Sequence, residues 1–145
     1  MGEAWIFDDG GRAAAGYKGT TGDCACRAIA IVTGKPYQEV YDLIIETAKE
    51  ERPRRGKSRS HPRTGVWPQT VKKIMERMGW KWVPVMKIGS GCTTHLRADE
   101  LPAGRILCNV SRHYVAVVDG VAHDIYDSTR AGTRCVYGYY QKEPA

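Results

Sequence analysis

Ser111-Arg112-His113-Tyr114-Val115-Ala116-Val117-Val118-Asp119-Gly120-Val121-Ala122-His123-Asp124-Ile125-Tyr126-Asp127 is the stretch that decides the fold. β-branched and aromatic residues dominate both sides of the Asp119-Gly120 pair, which is a strong hairpin signal. Two strands are predicted, His113–Val118 and Val121–Tyr126, with His113 at the head of the first. The turn sets which residues share a face, because a one-residue slip reverses every side chain. A two-residue Asp119-Gly120 turn pairs Val118 with Val121 and puts Asp124 on the face of His113. A three-residue turn, with Gly120 in the left-handed position of a bulge, puts Asp127 there instead, beside Val115, Val117, Val121 and Ile125. The second face is the more apolar, so the bulged hairpin is the expectation.

Upstream, strands are predicted at Ile106–Ser111 and Trp80–Val85, and downstream at Val136–Tyr140. The N-terminal half has helical periodicity instead. Asp23 can cap a helix carrying Ala25, Ala28, Ile29, Ile31 and Val32 and ending at Gly34. Pro36 suits the first turn of a second helix, with Val40, Tyr41, Leu43, Ile44 and Ala48 inward. A third should run from Pro68 to Met78, stopped by Gly79. Residues 1–22 read as a glycine-rich irregular or short-strand lead-in. Helices first and antiparallel strands after describe an α+β domain over residues 1–145, with the helices packed on an antiparallel sheet.

Composition narrows the class. At 145 residues and 42% hydrophobic content the chain can bury one core. No apolar run approaches bilayer-spanning length, so no membrane partner is expected. The acidic start lacks the basic and long apolar regions of a signal peptide, and five cysteines at irregular spacing make no disulfide framework. Reduced thiols in a cytoplasm are the expectation. The net charge of +6 is mostly one arm: seven basic and two acidic residues lie between Lys49 and Arg63. Pro53, Gly56 and Pro62 mark residues 52–65 as a mobile loop.

The candidate chemistry follows from two positions. Cys24 falls at a helix N-terminus, where unpaired backbone N–H groups and the helix dipole favour a thiolate, the nucleophilic form of cysteine. The same N–H groups can face an oxyanion. His113, at a strand head, can take the thiol proton if a carboxylate on its other nitrogen sets the tautomer, and Asp127 is the expected carboxylate. Cys26, Cys108 and Cys135 read as core residues, and His61 and His123 as structural histidines.

Three segments carry a family resemblance: Gly22-Asp23-Cys24-Ala25-Cys26-Arg27-Ala28, His113-Tyr114-Val115-Ala116-Val117-Val118, and Tyr126-Asp127-Ser128. In that order they resemble papain-like cysteine peptidases, most of all the compact bacteriocin-leader-processing type. The resemblance implies a papain-like fold and hydrolysis of a peptide or protein substrate without a cofactor. Cys24 would be nucleophile, His113 base and Asp127 orienter. Such enzymes carry a glutamine some six residues before the nucleophile as oxyanion donor; here Lys18 stands there, and Lys18 or a threonine hydroxyl would donate. Ser60–Val66, Met86–Thr93 and Gly132–Tyr139 also resemble uncharacterised bacteriophage and prophage proteins, which implies a host-cell cytoplasm and no particular activity.

Three other readings compete. In the cell-wall amidase variant of the same fold, His123 replaces Asp127. In a catalytically silent relative, Arg54, Arg55, Lys57 and Arg59 of the arm would hold a partner, nucleic acid or an acidic protein. Nucleic acid is the less favoured, since no aromatic residue is interleaved for base stacking. A metal site at Cys92 and His95 with Cys24 and Cys26 is disfavoured, because one intervening residue on a helix spaces the second pair poorly. No metal is expected, and the sequence carries no sign of oligomeric state.

Overall fold

A computed structural model describes residues 4–19, 22–87 and 89–143. Six strands form one sheet: β1 (Trp5–Phe7), β2 (Trp80–Pro84), β3 (Arg105–Val110), β4 (His113–Val118), β5 (Val121–Asp124) and β6 (Val136–Lys142), in spatial order β1-β5-β4-β3-β6-β2. Every neighbouring pair is antiparallel except β1 on β5, which is parallel. The sheet is therefore mixed, where a wholly antiparallel one was expected. The lead-in supplies its edge strand, and three apolar residues among glycines gave no sign of direction.

Three helices complete the α+β fold: α1 (Cys24–Thr33), α2 (Tyr37–Ala48) and α3 (Pro68–Arg77). Each stops where backbone chemistry requires. Gly34 takes the left-handed conformation at φ 72° and returns its N–H to the Ala30 carbonyl, closing α1. Pro68 opens α3 at its first position, where a missing N–H costs nothing. Pro36 precedes α2.

Strand alternation separates two cores. Leu107, Tyr114, Ala116 and Tyr140 face the helices, meeting Ala28, Ile29, Val40, Ile44 and Val71. Ile106, Cys108, Val110, Val115, Val117 and Ala122 face the other way, under Leu96 and Val136. Covering both faces makes β3 and β4 nearly continuous apolar runs.

The β4–β5 hairpin has the two-residue turn. Val118 pairs with Val121, and Asp119 and Gly120 take φ 48° and 80°. Both positive values are those of the turn that Asp-Gly favours. This overturns the expected bulge and, with it, the face assigned to Asp127.

The arm is not the free loop that its charge suggested. The Glu51 carboxylate accepts from the hydroxyls of Ser60 and Thr70 and from Ser60 N–H. Trp67 Nε1 donates to the Ser58 carbonyl at 2.8 Å. Cys92 and Cys135 form a disulfide with Cα atoms 5.8 Å apart, correcting the expectation of five reduced thiols and of Cys135 as a core residue. The 94–96 segment bonds the entrance of β6, Leu96 N–H to the Arg134 carbonyl and Val136 N–H to the Thr94 carbonyl. That tertiary contact brings together cysteines 43 residues apart. Among the described residues no helix is long and apolar enough to cross a membrane.

Candidate active site

Helix α1 begins at Cys24 and packs on β4, which begins at His113. The two residues therefore meet at one end of the helix–sheet interface. Cys24 is half-buried, and His113 is 7% exposed. His113 Nε2 donates to Asp124 Oδ2 at 2.6 Å, leaving Nδ1 as the nitrogen for the thiol.

The electrostatics follow from these contacts. Burial raises the Cys24 thiol pKa, but hydrogen bonding and charge from His113, with the Tyr114 N–H and Arg27, outweigh it and hold the thiol below its ordinary value. Burial lowers the His113 pKa, but the hydrogen bonds of Asp124 and Cys24 outweigh it and leave it raised. Asp124 is buried, which raises its pKa, yet His113 and Arg27 hold it below the carboxylate value. The three shifts favour a thiolate beside an imidazolium. Cys26, two residues on, is pushed up to about 12 by burial and is an inert core thiol. Burial also raises Cys108.

Asp124 therefore holds the position assigned to Asp127. β4 and β5 are paired only as far as Ala116 and His123, and the His113–Asp124 bond lies beyond that last rung. Asp127 turns away: its Oδ1 accepts from the N–H and hydroxyl of Thr129 at 3.0 and 2.6 Å. The two-residue turn brings Asp124 rather than Asp127 to the side of His113, and an ion pair with Arg27 makes its burial tolerable. Arg27 Nη1 reaches Asp124 Oδ1 at 2.8 Å, and Ile125 N–H donates to the same oxygen. His123 bonds Asp8 at 2.9 Å, so it does not serve as third residue.

Arg27 was missed as a site residue. Its Nε bonds Asp23 Oδ1 at 2.9 Å, and Asp23 also accepts from Arg12 at 3.2 Å and from the Tyr37 hydroxyl at 2.8 Å. Asp23 is fully buried and its side chain makes no cap bond to α1. Gly10 lets the lead-in touch the helix here: at φ 68°, a Cβ would stand 2.7 Å from the Arg27 carbonyl. The signal was available, since Arg27 is the one charged residue in Cys24–Thr33.

A cleft of about 440 Å³ opens on Cys24 and His113, walled by Val66, Pro68, Val110, Tyr114 and Tyr137. Asn109, on β3, is the one carboxamide in its lining. Lys18 is exposed and outside that lining; its carbonyl accepts from Arg63 Nη2 at 2.8 Å, and its proposed oxyanion role has no geometric support. The threonines considered with it, at positions 20 and 21, lie outside the described residues. In the arm, Lys57 Nζ and the Arg54 guanidinium lie 4.6 and 5.4 Å from the Trp67 ring centre, which engages two of its cations internally. Arg55 and Arg59 are exposed. Among the described residues no cluster of histidine, cysteine and carboxylate groups is arranged to hold a metal.

No protein-family model, curated protein or solved structure matches this chain.

Proposed function

We propose that the chain is a papain-like thiol hydrolase that cleaves a peptide, isopeptide or amide bond through an acyl-enzyme. The observation carrying this reading is the relay Asp124–His113–Cys24, with the thiol at the start of α1 and open to a cleft. Asp124 accepts Nε2–H, which fixes the tautomer whose Nδ1 can hold the thiol proton.

The chemistry balances without a cofactor. The Cys24 thiolate attacks the carbonyl carbon, forming a C–S bond, and the carbonyl oxygen becomes an oxyanion. The Cys24 backbone N–H at the helix start would meet that charge, and the carboxamide of Asn109, a residue lining the same cleft, would donate a second bond. The His113 imidazolium gives its proton to the departing amine as the C–N bond breaks. Water then loses a proton to His113 and attacks the thioester; the C–S bond breaks, releasing the carboxylic acid and restoring the thiolate and imidazolium.

Incubating the protein with a complex peptide mixture and sequencing new termini by mass spectrometry tests the reading. Cleavage by wild type that is absent in Cys24→Ser supports it. Identical peptide patterns from both proteins count against it and favour a catalytically silent relative.

A further inference from the structure

A second cleft, of about 540 Å³, adjoins the first, and Arg112 and His113 belong to the walls of both. Its other walls include Arg130, Arg134, Tyr126 and Asp127. Three arginines thus line the cleft beside the candidate base. Among the described residues none of the three is paired with a carboxylate. Asp127 offsets one charge and spends Oδ1 on Thr129, so the cleft keeps a net positive charge.

Arg134 makes this more than a surface patch. It is 5% exposed, and its Nη atoms bond only neutral carbonyls, Ser111 at 2.6 Å and Ser128 at 3.4 Å. Its Nε is buried without a partner. A buried cation with no counter-ion is costly unless an anion compensates it. The chain also keeps strained backbone at this spot. Arg112 sits at φ 55° in the two-residue turn between β3 and β4, and Arg130, Ala131 and Gly132 run through φ 51°, 56° and 79° in succession. Non-glycine residues hold such angles only where the surroundings require it.

We propose that Arg112, Arg130 and Arg134 form an anion subsite for a substrate carboxylate, so that the bond cleaved at Cys24 lies close to an acidic side chain or a free C-terminus. Planar guanidinium groups match carboxylate geometry in paired hydrogen bonds, and the wall shared with the thiol cleft places the two ends of one short peptide. Only the statement about cleavage rests on the hydrolase reading; the binding does not.

The test is therefore made on binding. Nitrogen-15-labelled Cys24→Ala protein is titrated at low salt with four blocked dipeptides, following the Arg134 Nε–H resonance. The peptides are acetyl-Ala-Glu-amide, acetyl-Ala-Gln-amide, acetyl-Ala-Ala with a free carboxylate, and acetyl-Ala-phosphoserine-amide. A saturable shift with the glutamate or the free-acid peptide, absent with the glutamine one, is expected, and the responding peptide names the source of the carboxylate. The exposed Arg130→Gln substitution, which spares the buried bonds of Arg134, should weaken that binding about tenfold. Equal shifts with the glutamine peptide, no shift with either carboxylate, or binding of the phosphoserine peptide alone would overturn the proposal. A silent titration beside a fast-reacting Cys24 in wild type sinks the subsite and spares the hydrolase. A saturable one beside an ordinary thiol does the reverse.

Discussion

Arg27 and Asp124 lie 97 residues apart in sequence and form a buried 2.8 Å ion pair. It ties the helix that begins at Cys24 to the strand carrying the carboxylate bonded to His113. The same guanidinium bonds Asp23 through Nε, so one side chain spans two buried acids. The geometry of the candidate site is thereby coupled to the packing of α1 on the sheet.

Replacing Arg27 should be costly, because it takes a charged partner from each of two buried carboxylates. Arg27→Met is expected to lower unfolding free energy by roughly 3–5 kcal/mol. Arg27→Lys should recover little, since a single ammonium cannot reproduce the two-point fork. Urea denaturation of the three proteins measures both effects.

Asp124→Asn should slow Cys24-dependent cleavage on the order of a hundredfold or more, by removing the tautomer-setting acceptor. Asp127→Asn should leave the catalytic step, read as kcat, within a few-fold of wild type. The folded Asp124 pKa is lowered, so the stability it contributes is complete above the unfolded value near 3.8 and is lost as pH falls through the lower folded value. Urea unfolding between about pH 2 and 6 should accordingly show a shallower acid loss in Asp124→Asn than in wild type.

Asn109→Ala tests the oxyanion assignment. One lost donor of this kind typically costs about 100- to 1000-fold in turnover. The pH dependence of Cys24 reactivity should stay unchanged, because Asn109 is not among the groups that shift the thiol.

The Cys92–Cys135 disulfide closes a loop across 43 residues and lies outside the thiol cleft. Chain-entropy reasoning gives it a stabilising effect of about 4 kcal/mol. Cys92→Ser should therefore lower the unfolding midpoint while Cys24 keeps its alkylation rate.

Elements with local signals were legible. Gly34 marked the end of α1, Pro68 the start of α3, and His113–Val118 the bounds of β4. Cys24 and His113 were legible as partners because a helix start and a strand head are local features. The third residue was not, because face apolarity and turn chemistry disagreed. The Asp119-Gly120 turn prevailed, and Arg27 neutralised the aspartate that it turned inward. The parallel pairing of β1, the disulfide and the anchoring of the arm by Glu51 are long-range contacts between segments whose local sequence carries no partner information.

The rate of Cys24 alkylation by iodoacetamide across pH, read by peptide mass spectrometry in wild type and His113→Ala, tests the central claim most directly. The thiol pKa is lowered from 9.0 and that of His113 raised from 6.5, and both shifts favour the thiolate–imidazolium pair over the neutral one. The account predicts that Cys24 reacts well below the pH at which ordinary thiols ionise, and that His113→Ala moves its profile up toward theirs. A Cys24 profile that matches an ordinary thiol, unchanged by His113→Ala, would contradict it.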